Sequence, residues 1–145
     1  MTEPSLSVDS LFSDASRLFK ELPLFSLTSR ILSLADHPRF RIYTSPVCLA
    51  IAFYFAEKKY KTKFAREKIA LLCQHLFIAP ATETVVKKTI VNKKINDFED
   101  GLEYYSAIES RCDFIVTEDG DDFFFSEIPV LNARDFFEKQ VAKRN

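Results

Sequence analysis

Val8, Leu11, Phe12, Ala15, Leu18, Phe19 and Leu22 recur every three or four positions, the stripe of an amphipathic helix over residues 8–22 that Pro23 ends. Leu24, Leu27, Ile31, Leu34 and Ala35 continue the same period in a second helix. From Arg39 to Thr44 the period falls to two, with Phe40 and Ile42 alternating with Arg39 and Arg41, which predicts a short strand. Ser45-Pro46 supplies a cap and a first-turn proline for a helix over Val47 to Tyr60, apolar nearly all round and so expected to be largely buried. Phe64 to Leu76 predicts the next helix, and Leu76 to Ala79 a strand closed by Pro80. Thr82 then caps a short helix carrying Val85, Val86 and Ile90.

The second half of the chain repeats this alternation. A helix opens near Asp97 with Phe98, Leu102, Tyr105 and either Ala107 or Ile108 inward, and Asp113 to Thr117 predicts a strand that runs into acids before Gly120. Ile128 to Leu131 is the last predicted strand, and Ala133 to Ala142 a terminal helix with Phe136, Phe137 and Val141 inward. Strands separated by helices imply a mainly parallel sheet covered on both faces. The expected architecture is therefore α/β, a three-layer α/β/α sandwich forming one domain over 1–145, with 1–23 an atypical helical segment.

Composition narrows the picture. At 145 residues, 47% of them hydrophobic and 28% charged, the chain is able to bury one core and is unlike a disordered tail. Two glycines and six prolines argue against turn-dense all-β designs, and fifteen phenylalanines supply large apolar area. No apolar run reaches the roughly 20 residues of a membrane span, and Met-Thr-Glu-Pro-Ser lacks the pattern of a secretion signal, so the expected location is cytoplasmic with no membrane partner. Cys48, Cys73 and Cys112 are odd in number, far apart and set among apolar residues, which fits buried free thiols better than a disulfide or zinc framework. His37 and His75 have no nucleophile or metal partner at a recognisable spacing and are read as structural.

The net charge of −1 conceals segregation: Asp97 to Glu127 holds eleven acidic residues against Arg111 alone, while the rest of the chain has nineteen basic residues against ten acidic. Lys58, Lys59, Lys61, Lys63, Arg66 and Lys68, with Lys87, Lys88, Lys93 and Lys94, are either solvated helix faces or contacts for phosphates. In parallel sheets ligands gather at the carboxyl ends of the strands. The strand ending at Thr117 leads into Glu118, Asp119, Asp121 and Asp122, and the helix from Asp97 brings Asp100 and, one turn on, Glu103 within reach of that edge. Converging carboxylates without arginines are resolved by a hard divalent cation such as Mg²⁺ or Mn²⁺, or else remain a solvated acidic turn. Gly101 and Gly120 belong to no glycine-rich phosphate loop, which disfavours a Rossmann-type nucleotide binder.

The run from Asp97 to Phe123 (DFEDGLEYYSAIESRCDFIVTEDGDDF), followed by Ser126-Glu-Ile-Pro-Val-Leu and Asp135-Phe-Phe, closely resembles the C-terminal half of PIN domains. Phe40-Arg-Ile-Tyr-Thr-Ser-Pro with its apolar helix is similar to the same family's second strand and following helix, so the likeness covers residues 24–140, most specifically the last third. The resemblance implies a metal-dependent ribonuclease directed at single-stranded RNA, often the toxin of a toxin–antitoxin pair and often a homodimer. It implies that Asp100 matches the helix-borne metal acid and that Asp119 and Asp122 match the acids after the fourth strand, with Mg²⁺ or Mn²⁺ as cofactor. Lys58, Lys59, Lys61, Lys63 and Arg66 would then position the RNA backbone without reading bases.

Two positions depart from the family pattern. A PIN chain begins with a hydrophobic strand ending in an aspartate and a small polar pair, but here the helical stripe runs through that stretch. Asp14-Ala-Ser imitates the motif and stands as the candidate metal residue, with Asp9-Ser-Leu the second candidate. Ile51 occupies the place of a common acid or amide in the helix after the second strand, and a catalytically degenerate module binding RNA or protein is the competing reading.

Overall fold

The computed structural model of the chain describes residues 5–8, 41–74, 76–117, 120–136 and 138. Strands β1 (Ser5–Val8), β2 (Arg41–Thr44), β3 (Phe77–Ile78), β4 (Phe114–Val116) and β5 (Val130–Leu131) form one sheet in the order β3-β2-β1-β4-β5, every pair parallel. Between them run α1 (Pro46–Lys59), α2 (Thr62–Cys73), α3 (Glu83–Val91), α4 (Phe98–Glu109), a 3-10 turn (Gly120–Phe123) and α5 (Ala133–Phe136). The expected α/β fold with a parallel sheet is present.

β1 corrects the reading of the N-terminus. Val8, counted above as the first residue of a helix, ends the central strand, with Leu6 partnered on one side with Ile42 and on the other with Phe114. Central parallel strands usually read as continuous apolar runs. Here Ser5 and Ser7 interrupt the run, and Val8 also fits the helical spacing that follows it. The remainder of that helix, the second helix, His37, His75 and the expected terminal helix beyond residue 136, save 138, lie outside the described residues.

Elsewhere the helix caps hold, but the register of α4 is turned by about one residue from the expected one. Its inward face is Gly101, Glu103, Tyr104, Ser106 and Ala107 and not the expected stripe from Phe98, which is exposed. Ser45 caps α1 by accepting from the Cys48 N–H (3.1 Å), Thr82 caps α3 through Val85 N (3.3 Å), and Asp97 caps α4 through Glu99 N (2.8 Å) and Asp100 N (3.3 Å). β3 and β5 are shorter than expected, yet their ladders reach further: Ala79 N donates to the Thr44 carbonyl (2.7 Å) and Ile115 N to the Pro129 carbonyl (3.0 Å). α2 begins at Thr62, before the expected Phe64, and ends at Cys73. α1 is less enclosed than its composition implies: Cys48, Ala52 and Ala56 are buried while Ala50, Tyr54 and Lys58 face solvent.

The core on the α4–β4 side joins Tyr104, Ala107, Cys112, Ile115 and Phe123, flanked by Tyr43, Tyr105, Ile108, Phe125, Ile128 and Val130. Two backbone details set α4 in place. At its start, the α-carbon of Gly101 lies against Thr89 and Ile95, so α3 and α4 approach closely where no side chain intervenes. At its end, Arg111 takes a left-handed φ of 61°, while Arg111 N bonds the Ile108 carbonyl (3.0 Å) and Cys112 N the Ala107 carbonyl (2.9 Å). This paired closure satisfies orphan carbonyls and turns the chain into β4.

Candidate functional site

Because all strands are parallel, Val8, Thr44, Ile78, Val116 and Leu131 end at one edge of the sheet. From β1 the chain goes outward to β2 and β3, then returns to place β4 on β1's other side, so the connections diverge between β1 and β4. Ligands of open α/β sheets bind at such a switch point. This edge is polar though enclosed: Thr44, Ser45 and Thr117 are buried, and Thr44 Oγ1 has no hydrogen-bond partner among the described residues.

α4 brings its first turn to the same region. Asp100 lies in that turn, half-buried, its backbone N–H held by the Asp97 cap. Glu99 and Asp100 also suit the positive end of the helix dipole. Glu103, one turn on, does not join an open acidic rim as its spacing suggested. It is 4% exposed and accepts a hydrogen bond from Cys48 Sγ at 3.1 Å, joining α4 to the first turn of α1. The physical cause is helical register: Glu103 shares its inward face with Ala107, which is fully buried.

After β4 the 3-10 turn packs against α4, with Phe123 buried as its anchor and Asp121 and Asp122 exposed. The elements carrying Asp100 and Asp122 are thus neighbours. Asp119, Glu118 and Asp14 lie outside the described residues. Among the described residues no three His, Cys, Asp or Glu side chains form a set that would hold a metal ion. Sequence reasoning ranked Asp14 above Asp9, yet Asp9 is the residue that follows β1 directly. The signal available was short: Leu6 and Val8 in alternation, then Asp9-Ser10.

The expected basic residues fall at the α1–α2 corner. Lys58, Lys61, Lys63 and Arg66 are exposed, and Lys59 belongs to the last turn of α1. Lys58 Nζ sits 4.3 Å from the Tyr54 ring centroid, and the Tyr60 and Phe64 rings meet at 4.9 Å. Tyr104 and Tyr105 are structural: Tyr104 is buried with its hydroxyl accepting from Glu127 N (3.0 Å), and the Tyr105 hydroxyl accepts from Asn92 Nδ2 (3.0 Å). Ile51 is half-buried on α1. The cysteines are free thiols, Cys48 and Cys112 buried and Cys73 half-buried. Burial, with a smaller contribution from the Asp113 charge, pushes the Cys112 thiol up to about 12, which leaves it unreactive.

The profile of the PIN domain family matches residues 16–121, from before β2 through β4 and into the 3-10 turn. The chain belongs to the PIN domain family. Solved structures agree on the fold. This PIN domain is similar to VapBC2 from Rickettsia felis, bound to a DNA fragment from its promoter (17% identity, 88% of this chain and 98% of that one, TM-score 0.63). It is similar to VapBC-1 from nontypeable Haemophilus influenzae (15%, 90% and 98%, TM-score 0.65). It is also similar to Mycobacterium tuberculosis VapC20, a toxin that cleaves the sarcin-ricin loop (14%, 81% and 92%, TM-score 0.60). No curated protein sequence matches the chain. Among the described residues, no helix of this PIN domain is long and apolar enough to cross a membrane.

Proposed function

We propose that this single-domain chain is a PIN-type endoribonuclease that cleaves single-stranded RNA with Mg²⁺ or Mn²⁺ bound at the carboxyl edge of the sheet. One observation carries the reading: Asp100 stands in the capped first turn of α4, and α4 packs against the turn bearing Asp122 beside the β1/β4 switch point. The donor set fits the cation. Asp100, Asp119 and Asp122 offer carboxylate oxygens without soft ligands, the chemistry that Mg²⁺ and Mn²⁺ prefer. Asp9 replaces Asp14 as the first-strand candidate, because β1 ends immediately before it.

In this reading Asp100, Asp119, Asp122 and Asp9 hold the cation and need transfer no proton. When held by these carboxylates, Mg²⁺ or Mn²⁺ would supply Lewis-acid activation of water and charge stabilisation at the phosphodiester. Lys58, Lys59, Lys61, Lys63 and Arg66 hold the RNA backbone by charge, without sequence selectivity. The protein acts in the cytoplasm as the toxin of a toxin–antitoxin pair, a homodimer restrained by a small antitoxin protein; likeness to VapBC proteins supports this assignment.

A second reading, a degenerate PIN module that binds RNA or protein without cleaving, is favoured by Ile51 in the place of a common acid. Calorimetric titration of Mn²⁺ into wild type and Asp100→Asn, paired with cleavage of a fluorescent single-stranded RNA, separates the two. The enzyme reading expects Mn²⁺ binding and cleavage in wild type and loss of both in Asp100→Asn, with an unchanged circular dichroism spectrum. Absence of both in wild type supports the degenerate module. An Asp100→Asn protein that fails to fold makes Asp100 structural and removes it from the site.

A further inference from the structure

The α1–α2 corner carries more than charge. Tyr54 and Phe64 are 54% and 44% exposed, large apolar surfaces that the fold leaves in water. Tyr54 lies on the solvent-facing stripe of α1 with Pro46, Ala50 and Lys58, and Lys58 lies over its ring. Phe64 opens the exposed side of α2, its ring tilted 54° against Tyr60, the residue that closes α1. Lys61 and Lys63 sit between the two aromatics in sequence and Arg66 just beyond, all exposed. Two acids belong to the same stretch, Glu57, whose carboxylate accepts the Thr62 hydroxyl at 2.8 Å, and exposed Glu67 beside Arg66; the basic residues outnumber them.

We infer that Tyr54 and Phe64, with the exposed Lys58, Lys61, Lys63 and Arg66 of the same α1–α2 segment, form a platform on which unpaired bases of single-stranded RNA stack. Charge complementarity selects a polyanion as the occupant, and exposed rings among the cations select one that also presents flat π-faces. A duplex hides its bases and an acidic peptide has none, so both fit the corner less well. Stacking on aromatics beside cations tolerates any base and favours unpaired strands. The inference rests on the ribonuclease reading for the nature of the ligand, and it assigns that ligand a second contact remote in sequence from the acidic site.

The test is fluorescence anisotropy of a fluorescein-labelled 12-nucleotide single-stranded RNA with the full chain in EDTA, where the result is independent of metal binding and cleavage. Tyr54→Ala and Phe64→Ala are each expected to weaken binding by about fivefold to a hundredfold, and Tyr54→Trp to retain it, with melting curves confirming folded variants. Lys58→Ala and Lys63→Ala are each expected to reduce the slope of log K against log salt by about 0.7. An abasic strand of equal length should bind as weakly to wild type as RNA does to the alanine variants. Equal RNA affinity of wild type and both alanine variants overturns the platform. Polyglutamate competing as well as RNA also overturns it and marks the corner as a site for an acidic protein segment. Because Mn²⁺ binding is measured separately, loss of the ribonuclease reading and loss of the platform are distinguishable.

Discussion

Cys112 shows how one side chain reports on its surroundings. It sits in the core cluster where α4 turns into β4, and its thiol is raised from an ordinary 9.0 to about 12, first by burial and then by the Asp113 charge. The folded protein therefore keeps the neutral thiol where the unfolded chain would ionise it. That contribution to stability is fully present below about pH 9 and is lost as pH rises from 9 towards 12. The melting temperature of wild type should fall more steeply over this interval than that of Cys112→Ala, measured by circular dichroism in matched buffers. Parallel curves would reject the buried thiol. Glu103 makes the complementary point. Its charge suggested an open acidic rim, yet its register with Ala107 turns it inward to Cys48.

At the scale of elements, α4 is the part on which the candidate site depends. Its start is determined by the Asp97 cap, its end by the left-handed turn at Arg111, and its distance from α3 by Gly101. A Cβ at position 101 would overlap Thr89 Cγ2 and come within 3.0 Å of Ile95 Cγ2. Thr89 has little freedom to yield, being buried with its hydroxyl donating to the Val85 carbonyl at 2.8 Å. Gly101→Ala gains about 1 kcal/mol of helix propensity but incurs overpacking of about 1–3 kcal/mol. A lower urea midpoint is the expected result; an unchanged or higher midpoint would show that α3 and α4 separate without cost. If Asp100 holds a cation as proposed, a shift in α4 should also weaken Mn²⁺ binding, since Asp100 moves with the helix.

At the scale of the whole molecule, β1 holds the sheet together. It lies between β2 and β4 and is bonded to both, so the two outer pairs share no edge without it. Leu6→Pro removes a backbone donor in a strand paired on both sides, and a loss of about 3 kcal/mol or more is expected. Differential scanning calorimetry should show a strongly lowered or absent cooperative transition, whereas Leu6→Val should retain it. A Leu6→Pro protein as stable as wild type would remove β1 from the centre of the sheet. The charge segregation belongs to this scale too: the acids gather in α4 and the 3-10 turn and the exposed lysines at the α1–α2 corner, and under the proposed function the first would meet the cation and the second the RNA.

What could be read along the chain was whatever neighbouring residues decide among themselves. Ser45, Thr82 and Asp97 cap helices through contacts three residues away or fewer, and all three helix starts were legible for that reason. β2 and β4 were legible because alternation or an apolar run marks them, and Asp100 could be placed in a first turn because its cap lies just before it. The tertiary structure alone decided the rest. A four-residue strand with two serines carries too little pattern to outweigh an overlapping helical stripe, and its identity comes from partners at Arg41 to Tyr43 and Phe114 to Val116, far along the chain. The hydrogen-bond partner that meets the inward-facing Glu103 is Cys48, 55 residues away. Hydrogen bonds across such separations form only when the sheet and helices are assembled, and no local spacing in the sequence encodes them.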